Sequence, residues 1–257
     1  VAWTFDAGSS VKHQFRFLAQ LSSSDDSQWL IEGDELHHLQ KVLRLNVGEV
    51  VDVFDGSGKF ATGELAEITK QYASVNAQAA QTESERTPKI SVAMGAMKFG
   101  AIDDVLASLV ELGADEILVF QQTHSGKDTL NEKIQSRWNR IILQACKQCK
   151  RARVPEVRVF GSLLELLKDG ESGSDLIVTF DELASSRTPI GSELKDKTRI
   201  LAVLGSEVGL SETERRDLQG FSPLPFKLGQ HVLRAVTAAP AAATLLSFWR
   251  DQISAQS

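Results

Sequence analysis

Apolar residues in roughly the first eighty positions come in short runs separated by turn-forming clusters. Gln14–Ala19, Trp29–Ile31, Val50–Phe54, Lys59–Ile68 and Tyr72–Ala79 read as strands, and Asn46-Val47-Gly48 and Asp55-Gly56-Ser57-Gly58 as turns. Asp34–Leu43 has helical spacing. Strands this short and closely set predict a small β-barrel or sandwich. The polar stretch Gln81–Lys89, with Pro88 inside it, reads as a linker.

Beyond it the rhythm changes. Ile90–Met94 and Ile117–Phe120 are continuous apolar runs. Between them Ile102, Val105, Leu106, Leu109 and Leu112 share one helical face, and Gly113 stands where a C-terminal cap belongs. A helix over Glu132–Lys150 and strands over Leu176–Phe180, Arg199–Leu204 and Leu224–Leu228 continue the alternation. Ser211 and Glu214 form a capping-box pattern before a short helix, and the chain closes in an alanine-rich helix over Val236–Ile253. Buried strands alternating with helices predict an α/β domain with a mostly parallel sheet. The division expected is 1–84 for the barrel and 85–257 for the α/β domain.

Composition narrows the class. The 257 residues are 42% hydrophobic and 24% charged, ordinary for a globular protein and unlike a disordered one. No apolar run approaches the ~20 residues of a membrane span, and Val1–Ser10 does not read as a secretory signal. Two cysteines cannot make a disulfide framework, which points to a reducing, cytoplasmic setting. With 28 basic against 34 acidic side chains the net charge is −6, yet the charge is unevenly spread. From Lys133 to Arg158 there are eight basic residues and one acid, Glu156. On the helix over Arg137–Arg151, Trp138, Ile141, Ile142, Ala145 and Cys149 should face the core, with Arg137, Arg140, Gln144, Lys147 and Arg151 opposite. Nothing nearby in sequence balances that charge, so an anionic partner is expected, with a solvated helix face as the plainer alternative.

Cys146 and Cys149 have a C-x-x-C spacing but lie inside an amphipathic helix without two further ligands, so no metal site is expected. His37 and His38 read as surface or packing residues. Two later loops carry more. Strand Ile200–Leu204 runs into Gly205-Ser206-Glu207-Val208-Gly209, and strand Leu224–Leu228 into Gly229-Gln230-His231-Val232-Leu233-Arg234. Glycines at the carboxyl ends of parallel strands let backbone approach a ligand closely, so two such loops at adjacent strand ends can form a cleft with Arg234 at its rim, with plain αβ turns as the alternative.

Taken together these segments resemble the RsmE family of the SPOUT superfamily, S-adenosylmethionine-dependent methyltransferases acting on uridine N3 of small-subunit ribosomal RNA. His38 and Val42-Leu43-Arg44 with Gly48, and Phe54-Asp55-Gly56, match its barrel motif. Lys98 and Glu111-Leu112-Gly113, then Gln148, Arg151, Arg153-Val154-Pro155 and Glu156, match its central motifs. Leu204-Gly205-Ser206-Glu207-Val208-Gly209 stands where the family has I-G-P-E-G-G. Leu228-Gly229, Val232-Leu233-Arg234 and Thr237-Ala238 match L-G-x-x-V-L-R-x-E-T-A. The order of the pieces, over nearly the whole chain after about Lys12, is what makes the likeness specific. Ser206, Val208, Lys147, Lys150 and Val236 depart from the family pattern; Lys150 stands at a usual glycine and Val236 at a usual glutamate.

The resemblance implies an N-terminal PUA-like β-barrel and a C-terminal SPOUT α/β domain with a trefoil knot, an exception to the rule against threaded connections. It implies S-adenosyl-L-methionine as cofactor, held around Leu204, Gly205, Glu207, Gly209, Leu228, Gly229 and Leu233. It implies 16S rRNA or the small ribosomal subunit as partner, a homodimer, and no membrane. Uridine N3 must lose a proton, and a cation beside the base favours its anion, a role expected of Arg234 first and Arg151 second. Lys41, Arg44, Arg137, Arg140, Lys147, Lys150 and Arg153 are the expected phosphate contacts. With β-branched Val208 where the family has glycine, the loop should differ in shape: either Val208 sits at ordinary negative φ or the loop is strained. The alternatives are a SPOUT methyltransferase with another RNA target and a non-catalytic RNA-binding paralogue.

Overall fold

The computed structural model describes residues 14–22, 27–97, 100–122, 132–170, 174–184 and 193–254. Val1–Ser10 and Lys98, used above, lie outside them. The chain forms two compact units, Val1–Glu83 with Lys150–Arg153, and Ser84–Cys149 with Val154–Ser257.

The first unit is a curled sheet of β1 (Arg16–Leu18), β2 (Gln20–Leu21), β3 (Gln28–Glu32), β4 (Val50–Phe54), β5 (Lys59–Ile68), β6 (Tyr72–Ala77) and β7 (Gln81–Thr82). The strand order is β1-β4-β5-β6-β3-β2, with β7 on β5. A register shift between Leu65 and Glu67 bends β5 against β6, as bulges do. Phe17, Trp29, Ile31, Val51, Val53, Leu65 and Val75 fill the interior on period-two positions. The helix expected over Asp34–Leu43 is α1 (Gly33–His37) continuing as a π-helical stretch, His38–Leu43, which ends at Arg44 in the left-handed region (φ 55).

The stretch read as a linker is in part strand. Gln81 and Thr82 pair with Phe60 and Lys59, and the Glu83 amide donates to the Gly58 carbonyl at 2.8 Å. The Glu83 carboxylate then accepts from the backbone amides of Ala152 (2.7 Å) and Arg153 (2.9 Å). Residues 150–153 therefore belong with the barrel, though they are distant in sequence.

The second unit is a parallel sheet of β8 (Lys89–Gly95), β9 (Glu116–Phe120), β10 (Glu156–Phe160), β11 (Leu176–Phe180), β12 (Arg199–Leu204) and β13 (Leu224–Phe226), ordered β10-β9-β8-β12-β11-β13. Its helices are α2 (Ala101–Glu111), α3 (Glu132–Cys149), α4 (Leu163–Gly170), α5 (Glu212–Gln219) and α6 (Ala235–Ser254). α2 packs with α3 and α6, and α4 with α5. Leu163, Leu166, Leu167, Leu210 and Leu218 pack on alternate sheet residues Ala93, Leu118, Phe120, Leu201 and Val203. The apolar runs of β8, β9 and β12 are continuous because both faces are covered. β10 and α4 were not expected from the sequence. On α3 the fully covered thiol is Cys146, Ile141 and Cys149 are only half-buried, and Arg151, expected on the opposite face, lies past the end of the helix and is buried, which corrects the expected division of faces. No helix among the described residues is long and apolar enough to cross a membrane.

Candidate cofactor cleft and basic surfaces

β12, β11 and β13 are neighbours in the sheet, so the loops leaving their carboxyl ends are brought together. Ligands of open parallel sheets lie at such ends. Phe180, Asp181, Glu182, Lys227, Leu228, Gly229, His231, Leu233 and Ala238 line a small open cleft there. Leu228, Gly229 and Leu233 were expected; the wall from β11 and the contributions of His231 and Ala238 were not.

The β12 loop is a tight turn. The Gly209 amide donates to the Ser206 carbonyl at 3.0 Å, and Gly209 takes φ +74. A Cβ on Gly205 would overlap the Gly209 carbonyl carbon, so the two strands of the turn touch only because Gly205 has no side chain. Val208 is not among the residues at positive φ, and its side chain is 72% exposed. Glu207 is exposed, Leu204 is buried, and a Cβ on Gly209 would lie 3.3 Å from Glu182 Oε1. The β12 turn thus adjoins the β11 wall.

Buried Gln122, just past β9, fixes this turn. Its Oε1 accepts from the Ser206 amide (3.1 Å), and its Nε2 donates to the Gly209 carbonyl (3.0 Å) and Glu214 Oε2 (2.8 Å). The capping box expected at Ser211 and Glu214 is present, with both reciprocal bonds formed. On the other side, Asp181 accepts from Arg215 Nε (2.7 Å) and Nη2 (3.3 Å) and from the Leu183 amide (2.9 Å). Burial pushes the Asp181 carboxyl up, but the Arg215 and Leu183 hydrogen bonds and the guanidinium charge outweigh it, leaving the pKa below its ordinary value.

Arg234 is exposed at the start of α6, where its carbonyl accepts from the amides of Thr237 and Ala238. It is not among the residues lining the cleft. Arg151 is buried and belongs to the first unit. Arg153 donates from Nη1 to the Ser57 carbonyl at 2.6 Å and lies against Gly58, pinning a barrel turn. Lys41, Arg44 and Lys150 are exposed, and Lys150 adopts φ 62. Arg137 pairs with Asp103 of α2, so the charge on α3 does have a balancing acid, one too far away in sequence to be counted. Arg140 lines an open groove between α2 and α3 with Glu111, Gln144 and Gln148, and Lys147 is half-buried.

The cleft offers a ligand the apolar walls of Phe180, Leu228 and Leu233, open space over Gly229, and charges of both signs in Glu182 and Lys227, with Asp181 already held by Arg215. Residues 83–247 match the RNA methyltransferase domain family, and residues 31–77 the RNA methyltransferase PUA domain. The chain belongs to this class of RNA methyltransferases. Ribosomal RNA small subunit methyltransferase E of Bacillus subtilis (strain 168) is 29% identical over 227 residues, covering 85% of this chain and 89% of that protein. Its counterpart from Synechocystis sp. is 30% identical over 217 residues, covering 79% and 67%. The structure of the Neisseria gonorrhoeae methyltransferase E bound to S-adenosyl methionine is 24% identical, with a TM-score of 0.77 over 92% of this chain and 98% of that one. Within its class, the chain is a member of the RsmE family.

Proposed function

We propose that the protein transfers a methyl group from S-adenosyl-L-methionine to N3 of a uridine in small-subunit ribosomal RNA. The observation that carries this reading is the cleft at the ends of β11 and β13, whose β11 wall adjoins the β12 turn held by Gln122. Leu228, Gly229 and Leu233 with the Gly205–Gly209 turn hold the cofactor, and Glu182 provides negative charge for its cationic groups. Bound there, the sulfonium supplies an electrophilic methyl group. The protein's own tasks are to align the base and to favour loss of its N3 proton. In this reading Arg234, exposed at the start of α6, stabilises the uracil anion, with Arg151 the second candidate.

RNA phosphates are held by Lys41 and Arg44 on the barrel and by Arg137, Arg140, Lys147, Lys150 and Arg153, of which Arg137 also pairs with Asp103 and Arg153 also donates to the Ser57 carbonyl. The protein works in the cytoplasm as a homodimer through α6, where Phe248 stays exposed beside Trp249. Nucleoside analysis of ribosomal RNA from a strain lacking the gene tests the reading. Loss of N3-methyluridine from the small subunit is expected. Loss of a different methylated nucleoside would favour another RNA target, and an unchanged profile a non-catalytic paralogue.

A further inference from the structure

Four titratable side chains line the cleft: Asp181, Glu182, Lys227 and His231. Asp181 is held as a carboxylate by Arg215 and the Leu183 amide, so it is a poor proton acceptor. Glu182 lies 3.7 Å from the same guanidinium, and a carboxylate is a weaker base than an imidazole by ~2 pK units in ordinary surroundings. Lys227 in its ammonium form accepts nothing, nor does Arg234 three residues beyond the histidine. His231 makes no hydrogen bond or ion pair among the described residues, and it is the one imidazole among those of the second unit. It is exposed to solvent and lines the cleft on the loop that carries Gly229 and Leu233. A histidine exchanges its proton near neutral pH, where a general base is most effective.

We propose that His231 is the proton acceptor of the reaction, an inference that rests on uridine N3 being the atom methylated. As N3 bonds to the methyl carbon and the carbon–sulfur bond breaks, the N3 proton passes to the imidazole. The products are N3-methyluridine, a neutral thioether and an imidazolium that returns its proton to water. The overall charge of +1 is conserved, moving from sulfonium to imidazolium. Arg234 and His231 then divide the work, one favouring the anion and the other taking the proton. The charged groups bearing on the imidazole are Asp181 and Glu182 from the β11 loop, Arg215 behind them on α5, Lys227 on its own segment and Arg234 at the start of α6.

The test uses the full chain and small subunits lacking the modification. His231→Gln and His231→Ala should lower kcat about 10²- to 10⁴-fold, the range for loss of a general base. Calorimetric affinity for S-adenosylmethionine should be retained. The acid limb of the pH–rate profile should vanish in these variants and persist in Glu182→Gln. The defect should shrink on RNA carrying 5-fluorouridine at the target, whose N3 is more acidic. Without turnover, in protein saturated with S-adenosylhomocysteine, the His231 ring nitrogens should shift toward imidazolium in NMR spectra when 5-fluorouridine RNA binds. An equal defect on both RNAs, an acid limb that follows Glu182, or lost cofactor binding would overturn the role. A wild-type product methylated away from N3 overturns instead the reading on which it rests, and is seen before any variant is made.

Discussion

Gln122 and Glu214 lie 92 positions apart in sequence, and the Gln122 amide donates to the Glu214 carboxylate at 2.8 Å. The same amide group also holds Ser206 and Gly209, so one buried side chain joins the end of β9, the β12 turn and the start of α5. Gln122→Leu removes all three bonds and leaves buried polar groups unsatisfied. It should destabilise the protein by about 1–3 kcal/mol and weaken S-adenosylmethionine binding. Urea unfolding and calorimetry check both.

Glycines at the two cleft loops should respond differently to alanine. At Gly205 the added Cβ meets the Gly209 backbone, which cannot yield without moving the turn. At Gly229 nothing lies within 4 Å, and the new methyl enters space open to the cleft. Gly205→Ala should lower the thermal midpoint and cofactor affinity together. Gly229→Ala should unfold like the wild type and bind cofactor more weakly.

Lys150 follows α3 at φ 62, a conformation that costs a residue with a Cβ roughly 1 kcal/mol relative to glycine. Its side chain is exposed, so Lys150→Gly should raise stability by up to about that amount in urea titration while removing one of the charges proposed to hold RNA.

The Asp181–Arg215 pair sets an acid dependence. Because the folded pKa of Asp181 is depressed, its stabilisation is fully present above the unfolded value of ~3.9 and is lost as pH falls through the folded value. Asp181→Asn should therefore lower the urea midpoint at pH 7 and narrow the difference between pH 7 and pH 3. An equal drop at both pH values would contradict that assignment.

Much of the fold could be read along the chain because its signals are local. The runs Ile90–Met94 and Ile200–Leu204 are strands buried on both faces, and Gly113 and the Ser211–Glu214 box mark helix ends at the expected places. What was missed depends on partners remote in sequence. Glu156–Phe160 alternates charged and apolar residues and looked like part of the basic stretch, yet it pairs along its whole length with β9. Gln81 and Thr82 become strand only because β5 offers an edge. At the site, glycines flagged the β12 and β13 loops. Asp181 and Glu182 carry no such mark, and His231 read as a spacer between motif positions until the strand order brought the loops together.

Reconstituted methyl transfer tests the central claim most directly. Purified protein would be incubated with isotopically labelled S-adenosylmethionine and small ribosomal subunits from a strain lacking the gene, and the RNA digested for nucleoside mass spectrometry. One labelled N3-methyluridine per subunit is the predicted result. No incorporation by protein that binds the cofactor, or label on any other base or atom, would contradict it.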